Sequence, residues 1–231
     1  LAEEIKEYHK VVTYIKALLQ EEKISIGDKL PTERDISKEL SISRNSIREA
    51  LRVLENMGIV ESRQGSGNYL IGDVTKRMVD SLHMMLVIKS ISQLEISQFR
   101  RYMELAAFHI VIDDNIQFDA TTLARILDQM EHASIEDQVN LDKEFHNHII
   151  GASTNHLMIS MMNACSEILE TSVGEVLCRI ERDEEKKKKL RKVHRRLYES
   201  IANRNKELGI QAIHEHYDMI DDILEIKYET R

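Results

Sequence analysis

Residues Leu30 to Tyr69 read LPTERDISKELSISRNSIREALRVLENMGIVESRQGSGNY. Two short helical patterns are joined by a tight turn and followed by a glycine-punctuated hairpin. That order predicts a winged helix-turn-helix, a shape that sets one helix in a DNA groove. DNA binding is therefore the first function the chain implies.

The local signals have physical causes. Pro31 is the only proline of the chain, and Thr32-Glu33-Arg34-Asp35 fits a capping pattern in which Thr32 accepts orphan helix amides and Asp35 reaches back. Ile36 and Leu40 form a one-sided apolar stripe on the first helix. Ser41-Ile42-Ser43 breaks it, and Ser43 is a good N-cap for the next. On that second helix Ile47, Leu51 and Leu54 must face a core, while Arg44, Asn45, Arg48 and Arg52 take the opposite side. Guanidinium groups near a helix N-terminus suit guanine edges and phosphates, which they meet with paired donors. Ile59 to Arg63 reads as a strand, Gln64 to Gly67 as the wing tip, and Asn68 to Ile71 as the return. Single arginines fit a solvated helix face equally well. The ordered run of cap, helix, turn, basic helix and glycine wing is what favours DNA.

Leu30 to Arg34, Ser43 to Leu51 and Gly58-Ile59-Val60 followed by Gly65-Ser66-Gly67 closely resemble the DNA-binding domain of the GntR family of bacterial transcription regulators. The resemblance runs through roughly the first seventy residues. It implies that Arg34, Ser43, Arg44, Asn45, Ser46 and Arg48 occupy DNA-contacting positions, with Gln64 and Gly65 at the wing tip near the minor groove.

The 231 residues allow two domains, each with its own core. Eight glycines, one proline, no tryptophan and 31% charged residues predict a mainly α fold. The net charge of −8 is unusual for a nucleic-acid binder, and residues 1–72 hold 11 Lys and Arg against 12 Asp and Glu. Such a chain should hold DNA through a focused patch and repel it elsewhere, which favours specific sites. Cys165 and Cys178 lack metal-ligand spacing and are expected to stay reduced in a cytoplasm. No signal peptide is read in the opening residues, and no apolar run approaches membrane-spanning length. A cytoplasmic location without a membrane partner is expected.

A winged helix-turn-helix is predicted over 1–72, its first helix at about 3–22, then a linker over 73–77 and an all-α antiparallel bundle over 78–231. Helical periodicity places the bundle helices at about 77–89, 92–112, 119–132, 136–151, 155–180, 184–204 and 206–228. Glu181 to Lys192 reads ERDEEKKKKLRK; its acids precede its bases at helical spacing, which predicts a salt-bridged, solvated surface rather than a nucleic-acid tail.

Seven of the ten histidines lie between His132 and His216. Asp142 and His146 are four residues apart, about 40° around a helix, so both can point at one ion. His148 sits about 120° from Asp142 and should face elsewhere. With His194 and His216 on later helices, four ligands from three helices make a workable metal site. Imidazoles with one carboxylate suit zinc, nickel or other divalent transition metals. By spacing alone, structural or exposed histidines account for the pattern as well.

Asp142-Lys143-Glu144-Phe145-His146, then Gly151 to Leu157, look like the signature of the FCD effector domain of the FadR-like branch of the same family. Leu94-Glu95-Ile96, Arg100 to Glu104, His194 with Tyr198-Ile201-Ala202, and Ala212-Ile213 with His216 fit its other helices. The resemblance implies one divalent metal on Asp142, His146, His194 and His216, with His216 favoured over His214. It also implies a small carboxylate effector near Arg100 and Asn155; Arg101 beside Arg100 leaves open which arginine faces the pocket.

The expectation is a homodimeric transcription regulator, read as a repressor, on pseudo-palindromic double-stranded operator DNA, answering to a small organic acid beside a zinc or nickel ion. Two alternatives accompany it: a metal-dependent enzyme fused to a DNA-binding module, and a regulator for which the metal itself is the signal.

Overall fold

The computed structural model describes residues 2–72, 75–114 and 116–229. The chain divides into two compact units, Leu1–Met78 and Val79–Arg231.

In the first unit, α1 (Ala2–Gln20), α2 (Glu33–Leu40) and α3 (Arg44–Asn56) precede the strands β1 (Val60–Arg63) and β2 (Gly67–Leu70). Thr32 accepts the Asp35 amide at 3.2 Å to open α2. Asp35 reaches back, but to the Thr32 hydroxyl rather than to its amide. Ser41 ends α2 in the left-handed region at φ 54°, and Ser43 accepts the Ser46 amide at 3.1 Å to open α3. Those two caps make the turn. Ile36, Ile47, Leu51 and Leu54 join Val11 and Ile15 of α1 in a buried core that Val60 and Leu70 close from the strands. The hairpin pairs Val60 with Leu70 and Arg63 with Gly67, and Gly65 at φ 71° supplies the left-handed turn residue. The first helix stops two residues before its expected end, because Glu22 turns left-handed at φ 55°.

Asp73 and Val74 of the expected linker lie outside the described residues, and Thr75 already opens α4 (Thr75–Val87). The second unit continues with α5 (Gln93–Asp113), α6 (Ala120–His132), α7 (Ile135–Ala152), α8 (His156–Glu181), α9 (Glu184–Ala202) and α10 (Lys206–Glu229). A full capping box starts α5, with the Glu95 side chain reaching back to the Ser92 amide at 2.7 Å. Asp119, Ser134, Asn155 and Asp183 cap α6, α7, α8 and α9. Phe108, Leu123, Phe145, Ile149, Leu197, Ile213 and Tyr217 form the main core, drawn from α5, α6, α7, α9 and α10.

α10 lies close against both α5 and α9. A Cβ on Gly209 would stand 2.0 Å from Phe108 Cζ and 2.7 Å from Ser200 Oγ, so only glycine fits there. The charged stretch at the α8–α9 junction is a salt-bridged surface, with Lys187 on Glu181 at 2.6 Å and Lys188 on Glu185 at 3.6 Å. Among the described residues no helix is long and apolar enough to cross a membrane.

Candidate nucleic-acid interface and candidate metal centre

The first unit offers a shallow groove between residues 29–34, the start of α3 and the wing, lined among others by Arg34, Arg44, Arg48, Gln64 and Gly65. Five of the eight sequence-read DNA residues therefore share one concave face. Ser43, Asn45 and Ser46 sit beside it on the first turn of α3, where Ser43 also serves as the cap. Arg34 and Arg44 are exposed. Arg48 is different. Its Nε and Nη2 meet both oxygens of Glu33 at 3.1 and 2.8 Å, a bidentate pair that fixes the guanidinium plane. The hydrogen bond from Arg48 holds the Glu33 carboxyl below its ordinary range. On the wing, Arg63 lies over the Tyr69 ring at 4.2 Å from its centroid.

The second unit gathers Asp142 and His146 from α7, His194 from α9 and His216 from α10, all buried, with one ligand atom of each within 4.8 Å of the others. Asp142 Oδ1 stands 3.7 Å from His146 Nε2 and 3.4 Å from His194 Nε2. Among the described residues neither of those nitrogens has a hydrogen-bond partner, and neither ring nitrogen of His216 has one. Four buried imidazole nitrogens left without partners would each carry a desolvation cost. Donors about 2.0–2.2 Å from a shared zinc-like ion stand roughly 3–4 Å from one another, as Asp142 Oδ1 does from His146 Nε2 and His194 Nε2, and one ion would satisfy one orphaned nitrogen on each histidine.

The charges agree. Burial alone would raise the Asp142 carboxyl, but the imidazoles of His146 and His194 hold it well below its ordinary value. Burial lowers His146, yet Glu104 and then Asp142 outweigh it and hold the metal-free imidazole up at about 9. Burial, then the charges of His146 and His194, push His216 well below the usual histidine range.

Glu104 is the residue that sequence reading passed over. It is fully buried on α5, both its oxygens lie 2.8 Å from His146 Nδ1, and its Oε2 accepts the Tyr217 hydroxyl at 2.8 Å. Only its place one turn after Arg100 marked it in the sequence.

The two adjacent arginines differ in their ion pairs. Arg101 is held by Asp221 at 2.7 Å and Asp218 at 2.8 Å, and Ser97 donates to the same Asp221 at 2.6 Å. Arg100 is buried and makes no ion pair among the described residues; the Nε of both arginines lacks a hydrogen-bond partner there, and both guanidinium carbons lie close to the Tyr217 ring, 6.0 Å from its centroid for Arg100 and 5.9 Å for Arg101. Asn155 does not join this cluster. It is exposed, and its side-chain oxygen is taken by the Leu157 and Met158 amides as the cap of α8. His148 turns away to the Asp119 carbonyl at 3.0 Å, and His214 also stays outside the group.

Residues 7–70 match the family model described as bacterial regulatory proteins, gntR family, and residues 95–219 match that of the FCD domain. The chain is 28% identical over 209 residues to the HTH-type transcriptional regulator LutR of Bacillus subtilis, covering 88% of this chain and 94% of LutR. It is 22% identical over 213 residues to the Glc operon transcriptional activator of Escherichia coli, covering 89% and 84% of the two chains. The fold is that of the Streptococcus agalactiae GntR structure, with a TM-score of 0.65 at 20% identity over 93% of this chain and 99% of that one.

Proposed function

This chain belongs to the GntR family of bacterial transcription regulators, with an FCD domain behind its winged helix, and from that premise we propose a cytoplasmic homodimer that represses from a pseudo-palindromic operator and is released by a small carboxylate. It is a transcriptional regulator, not an enzyme, as its relatives are. The observation that carries the proposed ligand control is the buried set Asp142, His146, His194 and His216, whose nitrogens face one another without partners.

In the first unit, Arg34, Arg44 and Arg48, backed by Ser43, Asn45 and Ser46, read base edges and phosphates of one half-site, with Gln64 and Gly65 on the minor-groove side. Two-fold protein symmetry then mirrors the operator. In the second unit, Asp142 and the three histidines hold one zinc or nickel ion. Such an ion, when bound, polarises and anchors a carboxylate oxygen. Arg100 supplies the second anchor: its fellow Arg101 is already paired with Asp218 and Asp221, whereas Arg100 is buried and makes no ion pair among the described residues. A guanidinium pairs with a carboxylate through parallel hydrogen bonds. The acid changes DNA affinity only to the extent that it binds the operator-free form better than the operator-bound one.

Native mass spectrometry of the full chain, before and after metal stripping, tests the assembly and the ligands together. A dimer carrying one metal per chain is expected, and a metal-free monomer would remove the proposal. Operator titrations with metal, with and without small carboxylates, test the response. Weaker binding on adding acid is expected. A DNA response to graded metal alone would transfer the signal to the ion.

A further inference from the structure

We propose that Glu104 is a positioning residue of the metal centre: it fixes which nitrogen of His146 is the ligand atom, and its buried charge strengthens the site for a divalent ion. The inference rests on the reading of Asp142, His146, His194 and His216 as metal ligands. It concerns a residue outside that set, since Glu104 is absent from the group whose atoms converge within 4.8 Å.

An imidazole can carry its proton on either nitrogen, and the hydrogen bond at one decides what the other can do. At His146 both Glu104 oxygens lie 2.8 Å from Nδ1. A carboxylate only accepts, so the proton belongs on Nδ1. In the neutral imidazole that ligation requires, that leaves Nε2 with its lone pair on the side where Asp142, His194 and His216 meet, and Nε2 is one of the orphaned buried atoms. The carboxylate is itself held. The Tyr217 hydroxyl donates to Oε2 at 2.8 Å, and Tyr217 directly follows the ligand His216 on α10. α5, α7 and α10 are thereby linked through one carboxylate, Glu104, which accepts from Tyr217 on α10 and from His146 on α7.

The electrostatics point the same way. Glu104 is fully buried, and its hydrogen-bond donors among the described residues are a phenol and an imidazole, neither a permanent cation. A carboxylate so placed is costly unless a positive charge lies close behind its partner. Together with Asp142, a dication behind His146 gives two negative charges facing two positive ones. A carboxylate on the far nitrogen also raises the donor strength of the near one, an outer contribution usually felt as 10–100-fold in metal affinity.

The test uses the full chain and zinc. In competition titrations with a chromophoric chelator, Glu104→Gln is expected to lose 10–100-fold in zinc affinity. Tyr217→Phe keeps the charge and loses one donor, so a loss under about tenfold is expected on the same scale. Long-range ¹⁵N–¹H NMR of the zinc-loaded wild type is expected to show His146 protonated at Nδ1 and metal-bound at Nε2. The reverse tautomer overturns the inference without any variant, and so settles the case if Glu104→Gln does not fold. Zinc affinity within twofold of wild type in a folded Glu104→Gln protein also overturns it. So does a Tyr217→Phe loss equal to that of Glu104→Gln, which would make the residue a packing element. A wild-type chain that takes up no zinc fails at the underlying ligand set, a result distinct from these.

Discussion

The groove of the N-terminal unit leaves Arg34 and Arg44 in solvent, whereas the C-terminal cluster encloses Asp142, His146, His194 and His216 almost completely. Water satisfies the first set when no ligand is present, so its residues serve binding with little consequence for folding. Nothing satisfies the second set except the groups it was built around. Residues there tie ligand binding to stability, because an orphaned buried polar atom weighs against the folded state. Function and stability should be separable in one unit and joined in the other.

Metal removal should show the largest effect. Binding to the folded state alone adds about 4 kcal/mol when free ligand exceeds its Kd a thousandfold. Calorimetry with and without a chelator is expected to lower the melting of the C-terminal unit and leave that of the N-terminal unit in place. An unchanged thermogram would break the contrast. In elemental analysis, His146→Ala and His194→Ala should lose the metal, and His148→Ala and His214→Ala should keep it. Because ligation requires neutral imidazole and metal-free His146 is held up at about 9, protons compete with the ion and affinity should fall as pH drops below about 9.

Arg100→Ala sharpens the comparison inside the buried unit. It should spare the metal and weaken carboxylate binding by about 1.5–3 kcal/mol, the usual worth of a hydrogen bond to a charged group. Isothermal titration of the metal-loaded variant checks both halves, and loss of metal would place the arginine in a structural role.

On the open face, Arg44→Ala and Arg48→Ala should each cost about 1–3 kcal/mol in operator binding. Folding stability should change by less than about 0.5 kcal/mol for Arg44→Ala and by up to about 1 kcal/mol for Arg48→Ala, which gives up its pair with Glu33. Unchanged operator affinity in both folded variants would remove α3 from the interface. Base contacts relax specificity at one position, while phosphate contacts lower the salt slope by about one. The smallest effect belongs to Ser43→Ala. Its hydroxyl caps α3, and its loss should lower stability by about 1 kcal/mol in urea melts.

The same difference governs what could be read from the chain. The winged unit is written in short-range signals: Thr32 caps Asp35, Ser43 caps Ser46, and Gly65 turns the wing. Helix positions in the second unit were legible for the same reason, through periodicity and caps. Asp142 and His146 share a helix face, so their convergence is arithmetic; His194 and His216 reach them through the packing of α9 and α10, which spacing allowed and the family resemblance favoured. Glu104 meets His146 across 42 residues and Tyr217 across 113, distances at which spacing says nothing. Arg100 and Arg101 differ by about 100° on one helix. Only the places of Asp218 and Asp221 tell them apart. Asn155 shows the reverse case: its side-chain oxygen caps α8, a role its place at a helix start made legible.

Gly209 carries a consequence of another kind. It sits seven residues before His216 on α10, about 10 Å along the axis. Its missing side chain is what lets that helix press against Phe108 and Ser200. A single methyl there would push α10 away from Phe108 and Ser200, and His216 sits two turns along the same helix. In a random-mutagenesis screen for regulators deaf to their inducer, Gly209 should therefore score alongside the ligands themselves, a remote position with a near address.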